Sequence, residues 1–143
     1  MTIFNWKDYY KLAHELANYD SPAKKRTSIS RAYYGSFISC RNFLLENKLF
    51  LGRNSKKIME SESPNVHKEV YEIFKKYHYM YNMRKANFYS KNLVGKKISS
   101  WLSDLRRNRN KADYNNEFEK LDDYTHYSLI RSGEILNILN SFK

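Results

Sequence analysis

The chain has 143 residues, enough for one domain around one core. Only four glycines and two prolines occur, too few for a chain of many tight turns, which favours long helices over a sandwich or barrel. A net charge of +11 points to an acidic partner, whether nucleic acid, an anionic surface or an acidic protein.

Asn5 is placed to cap a first helix running to about Tyr19, with Trp6, Tyr9 or Tyr10, Ala13, Leu16 and Ala17 as its apolar stripe. Asp20-Ser21-Pro22 breaks that helix and starts the next. Ser21 suits a cap and Pro22 the first helical position. The second helix is expected from Pro22 to about Lys48, with Ile29, Tyr33, Phe37, Cys40 and Leu44 recurring every three or four residues. Beside that stripe Ala32, Gly35, Ser36 and Ser39 form a strip of small residues, which lets another helix come close. Arg31 and Arg41 project from other faces, in reach of a later basic stretch.

Residues 49–64 read as irregular. Ser63-Pro64 then repeats the cap-and-proline signal, and a third helix follows to about Met80 on Val66, Val70, Phe74 and Tyr77. Residues 81–92 read as a long polar and aromatic connection. A fourth helix carries Val94, Ile98, Trp101, Leu102 and Leu105 and leads into the basic stretch, with Asn115-Asn116 as its stop. A fifth runs from about Asp122 to Ser141. The expected fold is all-α, a single-domain, up-and-down bundle of four to five helices.

The chemistry is concentrated between Leu105 and Asn115, in the run LRRNRNKADYN. Arg106, Arg107, Arg109 and Lys111 supply cations, and arginine forks match phosphate oxygens bidentately. From Lys91 to Lys111 there are seven Lys and Arg against one acid, Asp104, whereas the segment after Ala112 carries six acids against three Lys and Arg. Such a localised stripe argues for a partner more strongly than a bulk excess does. Arg109 and Asp113 lie four apart and can pair. The alternative reading of the same run is a solvated basic face with one such pair.

Other chemistries are poorly represented. His14, His67, His78 and His126 are scattered, with no second ligand at helical spacing, so no metal is expected. The isolated glycines form no phosphate-cradling loop, and no cofactor is implied. Cys40, the one cysteine, sits in an apolar helical pattern and fits core packing in a reducing compartment. No apolar run suits a membrane span or a signal peptide, so a cytoplasmic protein is expected. Metal-free RNA cleavage needs stabilisation of phosphate charge and a proton carrier. Arginine meets the first need. For the second the candidate is Tyr114, although tyrosine, with a reference pKa of about 10, is a weak base at neutral pH.

Two segments together resemble the HEPN superfamily, small helical domains of prokaryotic toxin–antitoxin, abortive-infection and CRISPR-associated ribonucleases. NWKDYYKLAHEL followed by SISRAYYGSFISCRNFLLE is similar to the N-terminal helix pair of single-domain members with a Ser-Arg-Ala-Tyr-Tyr signature. LRRNRNKADYN is similar to their Arg-Asn-x-Ala-Asp-Tyr signature. The resemblance covers most of the chain. It implies an RNA-binding domain of a defence or toxin–antitoxin system, in active members a metal-independent endoribonuclease. Arg109 and Asn110 match the start of the active motif, an arginine, a polar residue and, a few residues later, a histidine. Tyr114 stands on or near the histidine position, and no histidine lies nearby in sequence.

The roles implied are phosphate holding by Arg109, orientation by Asn110 and weak acid or hydrogen-bond donation by Tyr114. Arg106, Arg31, Lys111 and Arg107 would line the positive cleft. Arg109→Ala is then expected to abolish activity and leave the fold intact. The resemblance further implies a homodimer and an operon partner such as a nucleotidyltransferase-like antitoxin. The alternative is a dimeric, non-catalytic HEPN interaction module, in which Arg109 pairs Asp113 and Tyr114 packs on the second helix.

Overall fold

The computed structural model describes residues 3–77 and 94–142. Among them the fold is all-α, with six helices and no strand: α1 Lys7–Ala17, α2 Pro22–Glu46, α3 Ser55–Met59, α4 Asn65–Lys76, α5 Val94–Tyr114 and α6 Leu121–Asn140. The expected 81–92 connection, His78, Lys91 and the expected extension of the third helix to Met80 lie outside the described residues. No described helix is long and apolar enough to cross a membrane.

Helix starts follow the signals in the sequence. The Asn5 Oδ1 accepts the Lys7 N–H at 3.1 Å, Ser21 Oγ accepts the Lys24 N–H at 3.3 Å, and Ser63 Oγ accepts the Asn65 N–H at 3.2 Å. Each satisfies one of the donors that a helix N-terminus leaves open. The stretch 49–64 is less irregular than expected. It contains α3, with Ser55 and Met59 buried one turn apart.

The chain forms two compact units, one of residues 1–39 and 104–143, the other of residues 40–103. In the second unit, Cys40, Leu44, Met59, Val70, Ile73, Phe74 and Ile98 are fully buried, and the Phe43 and Phe74 rings stack at 6.4 Å. Burial pushes the Cys40 thiol up from its ordinary range, so it stays protonated and unreactive. A thiol-directed alkylating reagent should leave the native protein unmodified and label Cys40 only on unfolding. Labelling of the native protein at the rate of an exposed thiol would contradict this packing.

In the first unit the small-residue strip of α2 is taken up within the chain. A Cβ on Gly35 would lie 3.2 Å from the Trp6 carbonyl oxygen and 3.3 Å from the Tyr9 Cβ, so α1 rests directly on it. Ser36 and Ser132 share a hydrogen bond of 2.6 Å, Ser132 also donates to the Ala32 carbonyl, and Ser28 donates to the Ala13 carbonyl. Ala13, Ala32 and Leu129 meet where α1, α2 and α6 converge. Ala32, Gly35 and Ser36 therefore explain close packing of α1 and α6 on α2, and lend no weight to a dimer interface.

Candidate functional site

Within the first unit, the last three turns of α5 sort the basic stretch onto two sides. The buried series Leu105, Arg109, Ala112 faces inward, continuing Ile98 and Leu102 at the same spacing. The outward side carries Arg107 and Asn110, both exposed, Arg106 and Lys111, both half-buried, and Tyr114, which is 75% exposed.

Arg109 is thus an interior residue, only 8% exposed. Its guanidinium lies 5.6 Å from the Tyr33 ring centre and 5.1 Å from that of Tyr34, both on α2. Cation–π contacts of this kind strengthen when water is excluded. One terminal nitrogen stands 3.8 Å from the Asp113 carboxylate, an ion pair too long for a hydrogen bond, and Ser30 Oγ donates to the same carboxylate at 3.4 Å. The expected Arg109–Asp113 pair is therefore present, in a largely desolvated setting. Arg109 Nε is buried without a hydrogen-bond partner.

Arg31 joins this cluster. Its guanidinium lies 4.7 Å from the Tyr9 ring centre and 5.5 Å from that of Tyr34, so two arginines share the Tyr34 ring. Arg41, also expected to reach the basic stretch, hydrogen-bonds its neighbour Asn42.

The outward cations have lighter restraints. Arg107 pairs Asp104 at 3.2 Å, and Lys111 Nζ lies 5.4 Å from the Tyr124 ring centre. Arg106 Nε is buried without a partner. The three residues given the catalytic roles are accordingly not gathered in one chain. Arg109 is inside, while Asn110 and Tyr114 lie exposed on the other side of α5. The exposure of Tyr114 also corrects the interaction-module reading, which had it packed on α2.

Four further residues complete the cluster and the helix end without being marked by the sequence pattern. Tyr33, Tyr34 and Ser30 form the bed of Arg109. Arg26 closes the end of α5, donating to the backbone carbonyls of Ala112 at 3.0 Å, Asn115 at 2.5 Å and Asn116 at 3.2 Å. The Ala112 carbonyl is one that the helix C-terminus leaves open, and Asn115 and Asn116 follow directly after it. The spacing of Leu105 and Arg109 does signal an inward arginine, but no local pattern signals Arg26.

Among the described residues no group of His, Cys, Asp and Glu could hold a metal ion. Comparison with protein-family models, curated proteins and solved structures returns no match.

Proposed function

We propose that the protein is an RNA-binding domain of the HEPN type, which holds the phosphate backbone along the outward side of α5. The supporting observation is the grouping of Arg106, Arg107 and Lys111 around the exposed Asn110, with the Tyr114 ring open to solvent at the helix end. Three cations within two turns suit successive phosphates. An exposed tyrosine offers a stacking surface for an unpaired base, and an asparagine offers hydrogen bonds to its edge. In this reading Arg109 acts from inside, anchoring α5 to α2 so that the outward face is rigid. The cytoplasm, a defence or toxin–antitoxin setting and a nucleotidyltransferase-like antitoxin belong to the same reading. Cleavage belongs to it only as an activity of a homodimer, in which a second copy brings its own motif to the phosphate held on the outward side of α5.

A second reading, the non-catalytic interaction module, is favoured by the burial of Arg109 against Tyr33 and Tyr34. There the arginine serves packing alone.

Titrating a mixed single-stranded RNA pool at several ionic strengths separates the two. Three phosphate contacts should give a slope of about −2 in log affinity against log salt. The triple variant Arg106→Ala, Arg107→Ala, Lys111→Ala should flatten it. Absence of binding at low salt, or an unchanged slope in the triple variant, would leave the interaction module standing. Light scattering on the same samples reads the oligomeric state, a dimer scattering at twice the 17.3 kDa of one chain.

A further inference from the structure

We propose that the first unit also carries a pocket for an unpaired nucleobase and its phosphate, set between α5 and the start of α6. It is separate from the Arg109 cluster and deepens the RNA-binding reading, because Arg107 belongs both to its wall and to the outward face of α5.

The pocket is formed by two stripes at helical spacing. Asp104, Arg107 and Asn108 come from α5, and Lys120, Tyr124 and Tyr127 from the start of α6. They line an open cleft of about 460 Å³, within the ~300–1,000 Å³ typical of small-ligand sites. The decisive residue is Asn108. It is 4% exposed and lines the cavity. Its donor and acceptor sit side by side, the arrangement that pairs bidentately with a base edge.

The other walls fit the same ligand. Tyr124 and Tyr127 supply aromatic surface on which a base can stack. Arg107 and Lys120 place positive charge at the rim, where a phosphate attached to that base would lie. Asp104 accepts a hydrogen bond from the Tyr127 hydroxyl at 2.9 Å and pairs Arg107 at 3.2 Å, so Lys120 carries the positive charge left for a phosphate. Asp123, exposed at the first turn of α6, offers an acceptor for ribose hydroxyls. A planar heterocycle with hydrogen-bonding edges, joined to a sugar and an anion, uses every one of these groups.

The base and phosphate can belong to a free nucleotide or to a nucleotide unstacked from RNA. The four nucleoside monophosphates, their nucleosides, ribose 5-phosphate and a tetraribonucleotide would each be titrated into the isotopically labelled full chain and followed by NMR. At least one monophosphate should give saturable shifts of the Asn108 side-chain amide and of the Tyr124 and Tyr127 rings, with a dissociation constant in the millimolar range or tighter. Asn108→Leu should weaken binding at least ~10-fold. Lys120→Ala, at an exposed position, should weaken the monophosphate and spare the nucleoside.

If Asn108→Leu fails to fold, the wild-type shift map and Lys120→Ala carry the test. No shift at these residues, the same shifts from ribose 5-phosphate, or full affinity in folded Asn108→Leu would overturn the pocket. Tighter binding of the tetranucleotide than of any monophosphate assigns the pocket to RNA, and the reverse order assigns it to a free nucleotide. Salt-sensitive RNA binding without these shifts removes the pocket and leaves the RNA face. Monophosphate binding by a chain that binds no RNA keeps the pocket and removes the RNA reading.

Discussion

Arg109→Ala should lower the melting temperature substantially, by roughly 6–12 °C. The estimate follows from what the side chain holds. It is nearly enclosed, rests on two tyrosine rings and faces a carboxylate that is itself about one-third exposed. Removing one partner of a buried ion pair costs about 3–5 kcal/mol, and the partial exposure of Asp113 reduces that to roughly 2–4 kcal/mol. For a domain of this size each kcal/mol shifts the midpoint by about 3 °C. Arg107→Ala is the control. Its pair with Asp104 is largely solvated, so the loss should stay under about 1 kcal/mol. Arg109→Lys keeps the charge without the planar stacking surface and should fall between the two.

The expectation drawn from sequence, that Arg109→Ala would remove activity and leave the fold intact, is thereby revised. Any loss of RNA binding or toxicity in that variant has to be measured below its lowered midpoint. Thermal melts followed by circular dichroism decide the matter, and an unchanged midpoint would show that Arg109 does not anchor α5 to α2.

The difference between the two outcomes for Arg109 has a definite origin. Ile98, Leu102 and Leu105 mark the inward side of α5, and one more step of four reaches Arg109. The signal was present in the spacing. It was masked by the run of cations, which reads as uniformly solvated when taken by composition. What spacing cannot supply is the surface that receives the arginine. Tyr33 and Tyr34 lie some 75 residues earlier, on a helix whose own stripe accounts for Tyr33 as core and leaves Tyr34 unassigned. The helix boundaries were more legible, because Ser21, Ser63 and Asn5 act through bonds to residues two or three positions away. Five-residue α3 escaped for the opposite reason. It is little longer than one turn, and neither caps nor periodicity develop over that length. Asn108 was visible only as a neighbour of Arg109. Its burial beside an open cavity is a property of how α5 meets α6, and nothing in LRRNRNKADYN distinguishes it from Asn110.

Arg26→Ala should have the second large effect, and it should act on α5 from a distance. Helix α5 ends without a glycine to turn the chain back on its last carbonyls. Arg26, from the second turn of α2, takes that role by donating to the carbonyls of Ala112, Asn115 and Asn116, and its guanidinium also lies 5.7 Å from the Phe118 ring centre. A positive charge at the negative end of a helix is favourable as well. Hydrogen bonds to a charged donor contribute about 1.5–3 kcal/mol, and since these three share one partly exposed donor the loss should be roughly 2–3 kcal/mol in all.

Arg26→Lys should recover only part of this, because one ammonium group on a flexible stem cannot replace a fork that spans three carbonyls. The global midpoint should fall by about 6–9 °C in Arg26→Ala. Amide hydrogen exchange at residues 112–116 should accelerate by more than the global loss explains, as the end of α5 frays. Lys111 and Tyr114 occupy that last turn. The variant should therefore bind RNA more weakly although Arg26 is not among the residues assigned to contact it. Arg26→Ala with native exchange rates at residues 112–116 would show that α5 holds its end without the arginine. Native exchange together with weakened RNA binding would move Arg26 itself onto the RNA-contacting surface.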